Sequence, residues 1–265
     1  LINAAALALS NVYEIRRKRI DRMINGSIVL LTMTCECYVA GHVWRQGGKV
    51  INHGARQPRI IYEKRLVPHG FSYVPAQREN LLFFVGKAGV DALLFCLDLD
   101  APRVLYAVNL EVPPKRHPND WWDVCSSWIS LEDGQVVVRY GGYREVPWPP
   151  KEGATDWPIR HVIARVDHEQ RRLAAQAEYV GSLVPPGPGP DLFQGQELQT
   201  GEYTIRYWAW YDKTGVRITG PGTDCIVVTG GFLSHPSFAA SYGHRIAIGT
   251  SEGRLYVVDL SEDPK

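Results

Sequence analysis

The sequence predicts an all-β chain that follows a single N-terminal α-helix, and three observations carry that reading. Apolar residues recur at three- and four-residue steps only over the first two dozen positions, and from Ser27 onward the period falls to about two. No helical pattern of roughly ten to fifteen residues separates the short apolar runs that follow, so they are spaced as antiparallel hairpins and not as βαβ units. The composition is rich in Gly (25), Pro (18), Tyr (13) and Trp (8), with only 2 Met, as many short strands joined by tight turns require.

The helix is expected from Leu1 to about Ile24. Leu9, Val12, Tyr13, Ile20, Met23 and Ile24 share its apolar stripe, Ala4, Ala5, Ala6 and Ala8 have high helix propensity, and Asn25-Gly26 closes it. Residues 1–26 are therefore read as a tether or the end of a preceding domain, and residues 27–265 as the β body. The basic cluster Arg16, Arg17, Lys18, Arg19 and Arg22 lies near the helix C-terminus, where the helix dipole favours cations. A solvated helix face is its plainest reading, and a partner-binding surface on Arg16, Arg17, Arg19 and Arg22 is the functional one.

Strands are expected near Ser27 to Leu31, Cys35 to Val43, Arg59 to Arg65, Leu81 to Val85, Ala92 to Asp98, Val104 to Leu110, Ser126 to Leu131 and Gln135 to Tyr140. Further strands are expected near His161 to Asp167, Arg172 to Val180, Tyr203 to Tyr211, Val216 to Thr219, Cys225 to Thr229, Arg245 to Gly249 and Leu255 to Leu260. Glu132-Asp133-Gly134, Asp212-Lys213-Thr214-Gly215 and Ser251-Glu252-Gly253 supply hairpin turns. Pro185 to Gln199 and Val146 to Pro158 read as surface loops, because proline removes backbone donors from a ladder.

Internal repetition refines the fold. RIAIGTSEGRLYVVDL, Arg245 to Leu260, runs strand, Gly, polar turn, Gly, strand, Asp-Leu, and LLFFVGKAGVDALLFCLDL, Leu81 to Leu99, repeats that grammar. Gly86 matches Gly249, Gly89 matches Gly253, and Asp98-Leu99 matches Asp259-Leu260. Gly249 follows Gly86 by 163 residues, or four units of roughly 41, with weaker copies around Trp128 to Tyr140 and His161 to Val180. The pattern resembles the β-propeller repeats, and the last segment looks like a WD-repeat or PQQ-type blade. The resemblance implies a propeller-like array of antiparallel four-stranded blades, five or six of them between Ser27 and Lys265. No copy carries a Trp-Asp dipeptide or a Gly-His start at the expected spacing, except that Gly243-His244 precedes the last one.

Charge and cysteine usage bound the function. Lys and Arg total 29 against 28 acidic residues, a net charge of +1, so nucleic acid is not the expected partner. Five cysteines, an odd number in a long chain, point to a reducing, intracellular compartment and not to a disulfide scaffold. The longest apolar runs, Ile28 to Thr34 and Leu81 to Val85, are strand-sized, so no membrane span is expected. The chain opens on Leu1 and is read as processed or cut from something longer.

Signatures of chemistry are sparse. Cys35-Glu36-Cys37, with His42 five residues on, has no second pair at zinc spacing, so no metal site is expected; Cys96, Cys125 and Cys225 read as core. No Gly-x-Ser-x-Gly, Walker loop or dinucleotide fingerprint occurs, the histidines share no motif, and neither a cofactor nor a catalytic residue is expected. Asp98 with Asp100 and Asp120 with Asp123 leave one alternative, a propeller hydrolase acting on a carbohydrate-like substrate. The favoured reading is a non-catalytic scaffold that binds other proteins in an assembly. Its candidate contacts are Trp121 and Trp122, between Pro118 and Ser126, and Trp148 and Trp157, which flank prolines.

Overall fold

The computed structural model describes residues 47–71, 74–88, 91–110, 128–144, 159–180, 197–231 and 234–261, all within the compact unit Gln46–Lys265. The expected helix, the strands at Ser27 to Leu31 and Cys35 to Val43, and the loop at Val146 to Pro158 lie outside them.

The described residues form strands only: β1 (Lys49–Asn52), β2 (Arg59–Arg65), β3 (Ala76–Arg78), β4 (Leu81–Ala88), β5 (Asp91–Asp98), β6 (Arg103–Leu110), β7 (Trp128–Glu132), β8 (Gln135–Arg144), β9 (Ile159–Asp167), β10 (Arg172–Val180), β11 (Leu198–Thr200), β12 (Tyr203–Trp210), β13 (Lys213–Gly220), β14 (Thr223–Gly231), β15 (Pro236–Tyr242), β16 (Arg245–Thr250) and β17 (Arg254–Asp259). They make four antiparallel sheets: I, β3-β4-β5-β6; II, β10-β9-β8-β7; III, β1-β14-β13-β12-β11; and IV, β15-β16-β17-β2. Tight turns join neighbours, and several place a residue at positive φ, among them Asp133 (47°) with Gly134 (77°), and Tyr211 (53°).

Alternation decides which sheets meet. Phe83, Val85, Leu94 and Cys96 of sheet I pack with Val136, Val138, Tyr140 and Val162 of sheet II. The intervening residues Leu82, Phe84, Phe95 and Leu97 face the other way, onto Phe238, Ala247, Leu255 and Val257 of sheet IV. Sheet IV turns Ile246, Ile248, Tyr256 and Val258 toward Tyr203, Ile205, Val216 and Val227 of sheet III. The sheets therefore stack in the order III, IV, I, II, each interior sheet apolar on both faces.

The first strands of the sheets lie side by side. The Thr200 and Ser241 hydroxyls join β11 to β15, Gln77 Nε2 donates to the Ser241 carbonyl at 2.8 Å, and Val74 bridges Trp128 in parallel sense. Sheet IV is completed by β2, paired antiparallel with β17 in the register Arg65↔Arg254 to Arg59↔Asp259. Three four-stranded sheets and one of five strands, with a clasp from the chain's earlier part, make the architecture all-β and propeller-like.

Several expectations need correction. The segments at Trp128 to Tyr140 and His161 to Val180 are two hairpins of one sheet, not two copies of a blade. Along the chain, the sheet that holds Gly249 is consequently the third after the sheet that holds Gly86, and the two sheets are neighbours in the stack; the described residues hold four sheets. Both glycines lie inside strands, each on the second strand of its sheet and opposite a phenylalanine, Phe71↔Gly86 and Phe238↔Gly249. A Cβ at position 249 would lie 2.2 Å from Phe238 Cε1, so a ring occupies the space a side chain would need. The turn expected over Asp212 to Gly215 is Tyr211-Asp212, with Lys213 already in β13. Leu198 and Gln199, placed in the proline-rich loop, belong to β11 and pair with Ile205 and Thr204.

Candidate functional site: the outer face of sheet III

Sheet III packs one face against sheet IV, and its opposite face is exposed along β12 and buried at Ile226 and Val228 of β14. In β12 the residues Tyr203 and Ile205 enter the core shared with sheet IV, so Thr204, Arg206, Trp208 and Trp210 share the opposite face. Registration extends that face across the sheet: Arg206 lies beside Arg217, which lies beside Ile226, which lies beside Ile51 of β1. Trp208 stands half-buried along the same strand. Trp210 ends it with 63% of its surface exposed, and Tyr211 follows at the hairpin tip with 92% exposed. Their rings stack with centroids 5.9 Å apart and an interplanar angle of 29°.

The tip is built against backbone preference. Tyr211 has φ 53°, a left-handed conformation that costs an L-residue with a bulky side chain about 1 kcal/mol. Asn or Gly fills such a turn more readily. Stacking on Trp210 holds the tyrosine ring, and the pair presents apolar area on little residual freedom.

The cross-strand pair Arg206 and Arg217 places like charges together, and carboxylates offset the repulsion. Arg217 donates through Nε and Nη2 to the two Asp224 oxygens at 2.9 and 2.8 Å, and Arg206 Nη2 lies 2.7 Å from Glu197 Oε1. The hydrogen bond from Arg217 holds the Asp224 carboxyl below its usual range, and Asp224 in turn raises the guanidinium pKa. Lys49 and Lys213 are exposed at the margins, in register with Val228 and Gly231. The face is aromatic at one end and net basic, and its guanidinium planes are fixed in orientation.

Every site residue proposed from sequence, Trp121, Trp122, Trp148, Trp157, Arg16, Arg17, Arg19 and Arg22, lies outside the described residues. Sequence reasoning missed Trp208, Trp210 and Tyr211, which it absorbed into a strand. The signal was two tryptophans at i and i+2 on a face whose other members, Thr204 and Arg206, are polar.

Asp98 closes a turn: its Oδ1 accepts from Asn80 Nδ2 at 2.8 Å, Asp100 N–H at 2.9 Å and Ala101 N–H at 3.2 Å. Burial pushes that carboxyl up, and these donors outweigh it and bring it below the usual range. Asp100 faces Arg245, whose Nη1 is 3.1 Å from its carboxylate. Cys96 and Cys225 are fully buried free thiols, pushed up by burial to about 11 and about 12. No helix among the described residues is long and apolar enough to cross a membrane.

No protein-family model and no curated protein matches the chain. Among solved structures it is similar to BamB from Moraxella catarrhalis, at 12% identity over 70% of this chain and 42% of that one, with a TM-score of 0.22. It is also similar to the Dos1 propeller, at 10% identity over 68% of this chain and 64% of that one, with a TM-score of 0.19. The fold assignment rests on the strand order and sheet junctions described above, not on these likenesses.

Proposed function

We propose that the chain is a non-catalytic interaction platform, a subunit of a larger assembly, that docks a protein partner on the outer face of sheet III. The observation that carries this reading is the stacked Trp210 and Tyr211 pair, presented at 63% and 92% exposure on a turn of unfavourable φ. Tryptophan, tyrosine and arginine dominate binding hot spots, and all three meet here. The partner is an acidic segment with apolar anchors, because Lys49, Lys213, Arg206 and Arg217 outnumber Glu197, Asp212 and Asp224 on this face and at its aromatic tip. Trp121, Trp122, Trp148, Trp157 and the Arg16, Arg17, Arg19 and Arg22 cluster are further candidate contacts.

The buried free thiols Cys96 and Cys225 support a reducing, intracellular setting. The grammar of Arg245 to Leu260 supports WD-repeat-like or PQQ-type blades. The test is selection of a displayed random-peptide library on the purified chain, with an oligosaccharide panel alongside. Enrichment of acidic peptides with aliphatic or aromatic anchors, whose binding falls tenfold or more in a Trp210→Ala/Tyr211→Gly variant, is the expected result. Peptides that bind the variant equally well, or selective binding of oligosaccharides, overturn the proposal.

A further inference from the structure

The connector between β1 and β2 crosses from sheet III to sheet IV and encloses a cleft that the aromatic face does not use. The connector is pinned on both sides: His53 N–H donates to the Asp224 carbonyl at 2.7 Å, Arg56 N–H donates to the Gly222 carbonyl at 2.9 Å, and Asn52 Nδ2 donates to the Arg56 carbonyl at 2.7 Å. The Arg56 side chain, 12% exposed, runs inward with Nη1 at 3.7 Å from Glu202 Oε1. There Nη1 donates to Tyr203 Oη at 2.9 Å, which lies 3.0 Å from His244 Nδ1. This guanidinium is a fixed positive wall.

Above it lies a cleft of about 670 Å³, open to solvent on one side and lined by Arg56, Gln57, Arg59 and Ser261 together with Ala55, Pro58 and Gly222. That volume suits a small molecule. Among the described lining residues two are arginines and none is acidic, in a chain whose net charge is only +1. Among the described residues two carboxylates stand just outside: Glu202, and Asp259, whose Oδ1 accepts from Ser261 N–H at 2.9 Å and which pairs in register with Arg59. A ligand has to compete with both. A phosphate group, with up to two charges and three acceptor oxygens, does so better than a single carboxylate, and it matches the planar donor fork of arginine.

We propose that this cleft binds a phosphate-bearing small molecule, its phosphate held at Arg59 beside the immobilised Arg56 guanidinium, with Gln57 and Ser261 as further donors. The site is independent of the aromatic face. Isothermal titration with tripolyphosphate and, separately, with citrate at constant ionic strength tests it on the whole chain. Saturable binding of tripolyphosphate is expected, weakened about tenfold by Arg59→Ala, the usual loss for one charge-assisted contact, and partly kept by Arg59→Lys. Arg59 is exposed and opens a strand, so these variants retain the fold, which a thermal melt verifies. The Trp210→Ala/Tyr211→Gly variant should bind tripolyphosphate as the parent does. No saturable heat up to roughly 10 mM, undiminished affinity in Arg59→Ala, or tighter binding of citrate than of tripolyphosphate would each overturn the proposal.

Discussion

Replacing Gly249 by alanine tests the junction between sheets IV and I. The added Cβ would lie 2.2, 2.6 and 2.7 Å from three carbons of the Phe238 ring, against an ordinary carbon contact of about 3.5–4.0 Å. Retreat of more than an ångström is blocked, because that ring sits 5.3 Å from Phe84 and 5.8 Å from Phe71, centroid to centroid, and is itself 2% exposed. Overpacking of this kind costs roughly 1–3 kcal/mol, and the severity of the overlap puts Gly249→Ala near the upper figure. In a domain of this size that corresponds to a fall in Tm of roughly 6–12 °C. Gly86→Ala is the control at the matching position of sheet I. There the nearest atoms are side-chain tips, Phe95 Cε2 and the two Val67 methyls at 3.0 Å, which yield by a few tenths of an ångström, so a cost under about 1 kcal/mol is expected. Urea denaturation of both variants, with Gly249→Ala/Phe238→Leu as the rescue, gives the ordering. Equal costs for the two alanines, or no recovery on removing the ring, would refute the reasoning.

Three further outcomes are expected. Native Cys96 and Cys225 should resist alkylation at pH 8, since burial keeps both thiols protonated, and react once urea unfolds their cores; peptide mapping by mass spectrometry reads each site. Glu132 accepts hydrogen bonds from Ser130 and Arg139, which depress its pKa below the ordinary glutamate value. Its contribution is therefore fully present above that value and is lost as pH falls through the lower folded one, so Glu132→Gln should flatten the acid limb of stability and leave less difference between pH 5 and pH 7 than between pH 3 and pH 5. Trp210→Ala/Tyr211→Gly should change unfolding free energy by no more than about 1 kcal/mol, because the tip touches solvent and glycine relieves the left-handed conformation at position 211; a loss of several kcal/mol in thermal melts would make the pair structural.

How much was legible depended on what alternation can report. The strands Arg59–Arg65 and Arg172–Val180 were bounded as the structure has them, and β4, β5, β9 and β12 to within a few residues, because apolar and polar positions alternate along them or form a continuous run. Pro236–Tyr242 was invisible: it opens on proline and continues Ser-Phe-Ala-Ala-Ser, with no β-branched residue. Small residues suit its place as the innermost strand, where Ser241 meets both Thr200 and Gln77. Lys49–Asn52, Ala76–Arg78 and Leu198–Thr200 are too short to show a period. Alternation also showed that Trp208 and Trp210 share a face, and it cannot show whether a neighbouring sheet covers that face. The Arg56, Tyr203 and His244 chain was illegible for another reason, since its members are 147 and 41 residues apart.

The clasp of β2 onto β17 sets a waiting time. During synthesis Glu63 emerges 191 residues before Arg254, to which it will be bound at 2.7 Å. At roughly 5–20 residues per second, β2 spends roughly 10–40 s with an unsatisfied edge while sheets I, II and III are still being made. Its sequence RIIYEKR opens on Arg59 and closes on the charged run Glu63, Lys64 and Arg65, a composition that discourages pairing with stray strands in that interval. Sheet IV is thus the last to gain its full complement, and a ribosome-bound chain halted before residue 254 would hold β2 exposed to chaperones and proteases.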